Sequence, residues 1–254
     1  MKLRLLGSGT SSGVPRIGGD WGACDPAEPR NRRTRQALLV EAQGMRVLVD
    51  TGPDLREQLL AAGVDRVDAV IWTHDHADHC HGIDDLRQLF HARGTALRGF
   101  ARAATQATLQ QRFGYIFEGR AGYPPVATLE PLPDRLAIGP LQIAVADQPH
   151  GDIFSAGLRF THNGKSAGYA TDFHALTPEM GVLYQGLDLW LVDALRRRPH
   201  PSHPHLAQAL DWIATLQPRR AVLVHLDQSM DYATLSAELP QGVEPGYDGL
   251  EVAL

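Results

Sequence analysis

Thr73-His74-Asp75-His76-Ala77-Asp78-His79 places three imidazoles and the Asp78 carboxylate within six residues, directly after the apolar run Val67-Asp68-Ala69-Val70-Ile71-Trp72. That run reads as a buried strand, so the histidines begin where the strand stops and the chain turns. Imidazole nitrogen and carboxylate oxygen are ligands for zinc and also suit manganese or iron, with no cysteine needed. Neighbouring residues of so short a loop cannot all point at one ion. Two adjacent divalent ions are therefore expected, drawing further ligands from other strand ends.

Upstream, Lys2 to Leu6 reads as a first strand, and Gln36 to Glu41 and Met45 to Asp50 as two more around an Ala42-Gln43-Gly44 turn. Asp54-Leu55-Arg56-Glu57 offers a capping box for a helix through Leu60 that Gly63 closes. After the first strand, Gly7-Ser8-Gly9-Thr10-Ser11-Ser12-Gly13 misses the dinucleotide fingerprint: its spacing is Gly-x-Gly-x-x-x-Gly, and no acidic residue follows at the expected distance. It reads as a hairpin turn, or else as a rim of N–H groups near a substrate. Arg30, Arg32, Arg33 and Arg35 are expected to form a solvated face, although such a run could reach a phosphate.

Downstream, Ile83 to His91 carries apolar residues at helical spacing. Gly94 to Pro133 shows little pattern beyond Phe113, Tyr115 and Phe117, read either as core packing under a loop or as a flap whose rings stack on a substrate base. Leu141 to Ala146 is a strand followed by His150 in Asp147-Gln148-Pro149-His150-Gly151. Gly157 to Thr161 and Ser166 to Thr171 flank an Asn163-Gly164 pair that suits the positive φ angles of a hairpin turn, and Asp172 ends the return strand. Asp188 to Ala194 is a buried strand whose Asp193 can orient a histidine or cap a loop. His200-Pro201-Ser202-His203-Pro204-His205 precedes a helix with Leu206, Ala209, Leu210 and Ile213 on one face, Pro204 fitting its first turn. Arg220 to Leu226 is the last core strand and delivers His225; a helix from Tyr232 to Leu239 and a strand within Gly246 to Val252 follow.

The 254 residues, 1–254, are expected to form a single α/β domain. A formal net charge of -5 argues against a surface for long nucleic acid. No stretch approaches a membrane span and the N-terminus lacks the apolar segment of a signal peptide, so no membrane partner and a cytoplasmic location are expected. Cys24 and Cys80 are the only cysteines and should remain thiols.

The run from His74 to His79 resembles the signature of the metallo-β-lactamase superfamily, and the resemblance covers the whole chain. It implies a metallo-β-lactamase αββα sandwich, two mixed β-sheets with helices on the outer faces. It further implies that His74, His76 and His150 hold one metal, that Asp78, His79 and His225 hold another, and that Asp172 bridges them. Two ions about 3.5 to 4 Å apart can share a hydroxide and lower the pKa of its parent water from about 15.7 toward about 7, which makes hydrolysis the leading reaction class. Ser202-His203-Pro204-His205 resembles an element of the phosphodiesterase branch, in which an extra histidine before the helix preceding the last metal histidine acts as general acid. His203 is the better match, with His205 as a rival or a support. Asp78, also a metal ligand, and His203 are thus the catalytic residues expected.

Gly9-Thr10-Ser11-Ser12-Gly13-Val14-Pro15, the arginine run and Gly246-Tyr247-Asp248-Gly249 resemble the phosphoribosyl cyclic phosphodiesterases in particular. That family has a structural zinc on three clustered cysteines and a late histidine. Here only Cys24 remains in the matching segment and Gln228 stands at the histidine position, so no structural zinc is expected. The implied activity is hydrolysis of a small cyclic phosphate or nucleotide phosphodiester with two Zn²⁺ or Mn²⁺ ions. A homodimer is compatible with the sequence, but no stretch argues for one. A tRNA 3′-processing ribonuclease would normally bring an extended basic arm, whereas a thioester or lactone hydrolase would leave His203 without a role. A diiron redox module of the same fold normally replaces the second histidine of the run by glutamate and joins a flavin domain, neither of which is found here.

Overall fold

In the computed structural model, which describes residues 1–254, each half of the chain builds its own sheet. Strands β1 (Lys2–Gly7), β2 (Ala37–Ala42), β3 (Met45–Val49), β4 (Ala69–Ile71), β5 (Arg98–Ala101) and β6 (Glu130–Pro131) lie side by side in sequence order. Strands β7 (Arg135–Ile138), β8 (Leu141–His150), β9 (Ile153–His162), β10 (Lys165–Ala170), β11 (Leu189–Asp193), β12 (Ala221–Val224) and β13 (Val243–Pro245) form the second sheet. Only β14 (Glu251–Ala253) crosses back, pairing antiparallel with β1. The antiparallel strands β1 to β3 give way to parallel pairing through β4, β5 and β6, and β10 to β13 are likewise parallel.

Alternation of side chains sorts the core into layers. Leu38, Val40, Val47, Val49, Ala69 and Ile71 point between the sheets, where they meet Ile143, Leu158, Phe160, Leu191 and Val222. Their neighbours Leu39, Leu48, Val70 and Trp72 point outward, beneath α1 (Leu55–Ala62), α3 (Leu86–Arg93) and α4 (Ala103–Glu118). A short α2 (Ala77–Cys80) carries the second half of the histidine run. Over the outer face of the second sheet lie α5 (Pro178–Tyr184), α6 (Leu206–Leu216) and α7 (Tyr232–Glu238), which contribute Met180, Ala209, Ile213 and Leu235 to a third cluster. The period of two with both faces apolar is what a strand buried on both sides requires. The result is the αββα sandwich, and no helix is long and apolar enough to cross a membrane.

Several expectations are corrected by the structure. Phe113, Tyr115 and Phe117 belong to the last turns of α4 and not to a flap. Phe113 and Phe117 pack on the outward cluster, whereas the Tyr115 hydroxyl donates to Asp84 at 3.2 Å. Asp54 forms no capping box: its carboxylate accepts from the Arg35 N–H at 2.8 Å and pairs with Arg35 Nε at 3.1 Å. Pro204 lies outside α6, because His205 is its N-cap and accepts from Gln208 N–H at 3.4 Å. The glycine-rich loop is no hairpin turn; Gly9 makes parallel bridges to both Arg35 and Leu226, stitching the loop to the ends of both sheets.

The arginine run is not uniformly solvated either. Arg30 is held by Glu28, but Arg33 is only 1% exposed. Its guanidinium donates to the Met230 carbonyl at 2.7 Å and the Asp227 carbonyl at 3.3 Å, with the Cys24 sulfur at 3.7 Å. Asn31 extends the seam by donating to Asp231 at 2.7 Å. One thiol beside a guanidinium, with Gln228 packed against Gly22, is a donor set that does not fit a structural zinc. Arg33→Met should cost roughly 3 kcal/mol in urea unfolding, because two buried carbonyls lose their donor; a change under about 1 kcal/mol would show that the seam carries no stability.

Candidate metal centre

The predicted ligands converge because each leaves the end of a strand at one edge of the sandwich. His74 and His76 follow β4, His150 ends β8, Asp172 follows β10 and His225 follows β12. Three non-glycine residues there adopt left-handed backbone: Asp50 at φ 67°, Asp172 at φ 57° and His225 at φ 59°. Such a conformation turns the chain sharply off the strand, and Asp and His enter it more readily than most non-glycine residues, at a cost that surrounding packing offsets.

Asp172 divides the donors into two groups. Its Oδ1 faces His150 Nε2 at 3.5 Å and His74 Nε2 at 3.9 Å, and His76 Nδ1 lies 3.2 Å from His150 Nε2. Its Oδ2 faces His79 Nε2 at 3.1 Å and His225 Nε2 at 3.6 Å. Asp78 stands with the second group, 3.4 Å from His79 Nε2 and 3.6 Å from His225 Nε2. Within the set His74, His76, His150 and Asp172, and within the set Asp78, His79 and His225, the donor atoms all lie within 4.8 Å of one another. His76 is the exposed member and marks the open side of the centre.

The outer nitrogens of three of these rings are taken. His79 Nδ1 donates to Asp50 at 2.8 Å, His150 Nδ1 to the Ser202 carbonyl at 2.9 Å, and His74 Nδ1 to the Thr73 hydroxyl at 3.0 Å. Thr73 donates onward to Asp50 at 2.9 Å. Each bond fixes a tautomer whose Nε2 lone pair faces inward. His74 Nε2, His79 Nε2 and His225 Nε2 are then buried with no hydrogen-bond partner. Inward lone pairs without donors, beside buried carboxylates, fit divalent cations and little else.

Electrostatics point the same way. Burial opposes ionisation of Asp172, yet His225 and His79 hold its carboxyl well below the usual range. Asp78 is likewise held down, against its burial, by His79 and His225. Burial would lower His79, but Asp172, Asp78 and Asp50 keep it well above the ordinary imidazole value, and His225 is carried to about 9 by Asp172 and Asp193 despite its own burial. His74 is lowered by burial and by the neighbouring His79. The carboxylates thus demand positive charge at this point.

His203 completes the edge. Its Nδ1 donates to Asp193 at 2.8 Å, its Nε2 stands 3.8 Å from Asp172 Oδ1, and its ring stacks on His225 with centroids 4.9 Å apart. Asp193 also accepts from the Asp172 N–H at 3.0 Å, so one buried carboxylate positions both residues. His205, the rival, is occupied in capping α6. His174 lies at the rim, its Nδ1 accepting from Gly151 N–H at 3.3 Å. Sequence reasoning missed Asp50, whose only signal is an acid at the end of β3, and Gln36, whose side-chain oxygen accepts from His225 N–H at 3.2 Å.

A family model described as "Beta-lactamase superfamily domain" matches residues 45–226. A crystal structure described as a new diphosphatase from the PhnP family is 33% identical, superposes with a TM-score of 0.91 and covers 99% of this chain and 96% of that one. The octanoyltransferase of Porphyromonas gingivalis is 35% identical over 268 residues, covering 100% of this chain but 52% of that protein. Ribonuclease Z of a Bradyrhizobium species is 43% identical over 70 residues, which is 27% of this chain and 23% of that protein. The chain therefore spans about half the length of these curated relatives, or less.

Proposed function

Because the chain belongs to the metallo-β-lactamase superfamily of hydrolases, we propose that it is a phosphodiesterase for a small cyclic phosphate or nucleotide phosphodiester, with His203 as general acid. The observation that carries this reading is the His203–Asp193 pair facing the Asp172 carboxylate. An alkoxide leaving group needs a proton, and a positioned imidazole supplies one. Asp193 holds the ring through Nδ1 so that Nε2 faces Asp172 at the centre. His74, His76 and His150 with one oxygen of Asp172 would hold one divalent ion, and Asp78, His79 and His225 with the other oxygen a second, Zn²⁺ or Mn²⁺ both suiting these donors. Bound there, such ions supply Lewis acidity toward phosphoryl oxygens and a nucleophile from water at neutral pH. The similar PhnP-family structure is described as a diphosphatase, which supports phosphoryl chemistry and adds small phosphoanhydrides to the substrates worth testing.

Acyl thioester hydrolysis is the second reading, favoured by the full-length similarity to half of a protein named octanoyltransferase. A thiolate, with a parent pKa near ~8.5, leaves without an acid, so that reading gives His203 and Asp193 no task. For a tRNA-processing ribonuclease, the net charge of -5 supplies no basic grip on a long polyanion.

Metal-stripped protein reconstituted separately with Mn²⁺ and Zn²⁺ should hydrolyse 2′,3′-cyclic nucleotides and ribose 1,2-cyclic phosphate at least ~10-fold faster than a linear dinucleotide or octanoyl thioester. Turnover of the thioester alone would overturn the proposal and leave His203 a structural residue.

A further inference from the structure

The hairpin of β8 and β9 brings one aromatic ring to the edge that holds the metal ligands. Its outermost pair is His150 with Ile153, and the next is Pro149 with Phe154. Ser155 then donates to the Asp172 carbonyl at 2.7 Å, and Ala156 N–H donates to the Thr73 carbonyl at 2.9 Å. Phe154 therefore stands within two residues of contacts to the segments that carry His74, His150 and Asp172. A strand advances ~3.3 Å per residue, which puts Phe154 about 7 Å beyond Ala156 toward the end of the sandwich where the ligands converge.

Residue type and exposure are at odds at this position. Side chains alternate along β9, and Ala156, Leu158 and Phe160 fill the space between the sheets. Phe154 continues that face past the end of the core and is 64% exposed, whereas the other six of the seven phenylalanines are buried or half-buried. Its support is stiff: the Pro149 carbonyl accepts from His174 N–H at 2.9 Å, Gly151 N–H donates to His174 Nδ1 at 3.3 Å, and His150 Nδ1 donates to the Ser202 carbonyl at 2.9 Å. An apolar ring held in water on a rigid strand beside these ligands is a preorganised contact surface. Its neighbours at the turn, Gly151 and Asp152, are exposed and add no apolar wall. A single flat face suits a planar partner that stacks on it, whereas a flexible acyl chain needs a groove around it.

We propose that Phe154 is the stacking surface for the base of a nucleotide substrate, so that the protein selects phosphodiesters carrying an aromatic base over those carrying ribose alone. Every base has a π-face and a phenyl ring offers no hydrogen bond, so Phe154 favours a base without reading which one it is. This rests on the phosphodiesterase reading above and narrows it.

A matched pair tests it: adenosine 2′,3′-cyclic phosphate and the same cyclic phosphate on a methyl riboside, which has a methoxy group in place of the base. The Mn²⁺-loaded wild type should prefer the adenosine compound in kcat/KM, and Phe154→Ala should reduce that preference about tenfold. Phe154→Trp should keep it, and Phe154→Leu, apolar but without a ring face, should lose it as alanine does. The ratio is taken within each variant, so differences in active fraction cancel. An unchanged preference in Phe154→Ala, or full retention in Phe154→Leu, would overturn the stacking role. If the wild type hydrolyses neither compound, the phosphodiesterase reading fails, and the stacking surface is judged by calorimetry. Adenosine 5′-monophosphate should then outbind ribose 5-phosphate by a margin that Phe154→Ala removes; an equal margin in both proteins, or no binding of the nucleotide, would refute it.

Discussion

His203→Ala is expected to slow hydrolysis of phosphodiesters with alkoxide leaving groups by ~10² to 10⁴, the usual contribution of a positioned acid. Loss on an activated aryl ester should be far smaller, because a nitrophenolate departs without a proton. Metal content should stay intact, since the Nε2 atoms of His79, His150 and His74 take their orientation from Asp50, Ser202 and Thr73 and not from His203. Asp193→Asn should show the same dependence on leaving group. It removes the carboxylate that binds His203 Nδ1 at 2.8 Å, yet an amide oxygen can still accept from the Asp172 N–H. Comparing the two ester classes for both variants gives the answer; equal losses on alkyl and aryl esters would sink the general-acid role.

What the sequence made legible follows from how local each signal is. The strand before His74 is apolar on both faces, and the histidine run lies within one turn of it, so a short window contains the whole message. His150, Asp172 and His225 carry little signal alone, and it was the resemblance of the run that drew them together. The outer partners were harder. Asp50 reaches His79 across 29 residues of sequence, and an acid after a strand looks like any loop residue. The left-handed backbone of Asp50, Asp172 and His225 falls on residue types that enter it more readily than most, but Asp and His adopt other conformations far more often, so residue type alone does not reveal it. α4 escaped for a different reason: Gly114 and its threonines dilute the helical pattern, and Phe113 departs from helical geometry at φ -127°. The start of α5 did carry a signal, Thr177 capping Met180 N–H at 3.3 Å with Pro178 in the first turn, which the reading of the chain passed over.

Asp172→Asn should lower divalent-metal affinity by ~10² to 10³, because stripping one member from a buried charge cluster costs ~3 to 5 kcal/mol. Asparagine is the informative replacement. At φ 57° asparagine tolerates the left-handed backbone nearly as well as aspartate, whereas alanine would add strain of its own. Thr171 can still donate to the side-chain oxygen it now meets at 2.6 Å, so the fold around the position is retained. The metal-free variant should melt below the metal-free wild type, because His79 and His225 lose the carboxylate charge they face, so the informative readout is the rise in Tm that metal gives within each protein. Both groups of donors should suffer together, since Oδ1 faces His150 and His74 while Oδ2 faces His79 and His225. Ligand that binds only the folded state stabilises it by RT ln(1 + [L]/Kd), so at fixed metal a ~10²-fold weaker site loses up to ~2.7 kcal/mol of that gain. The rise in Tm on adding Mn²⁺ or Zn²⁺ should shrink accordingly, and elemental analysis should find both sites depleted. Full occupancy at both, with an undiminished Tm rise, would remove Asp172 from between the two groups of ligands.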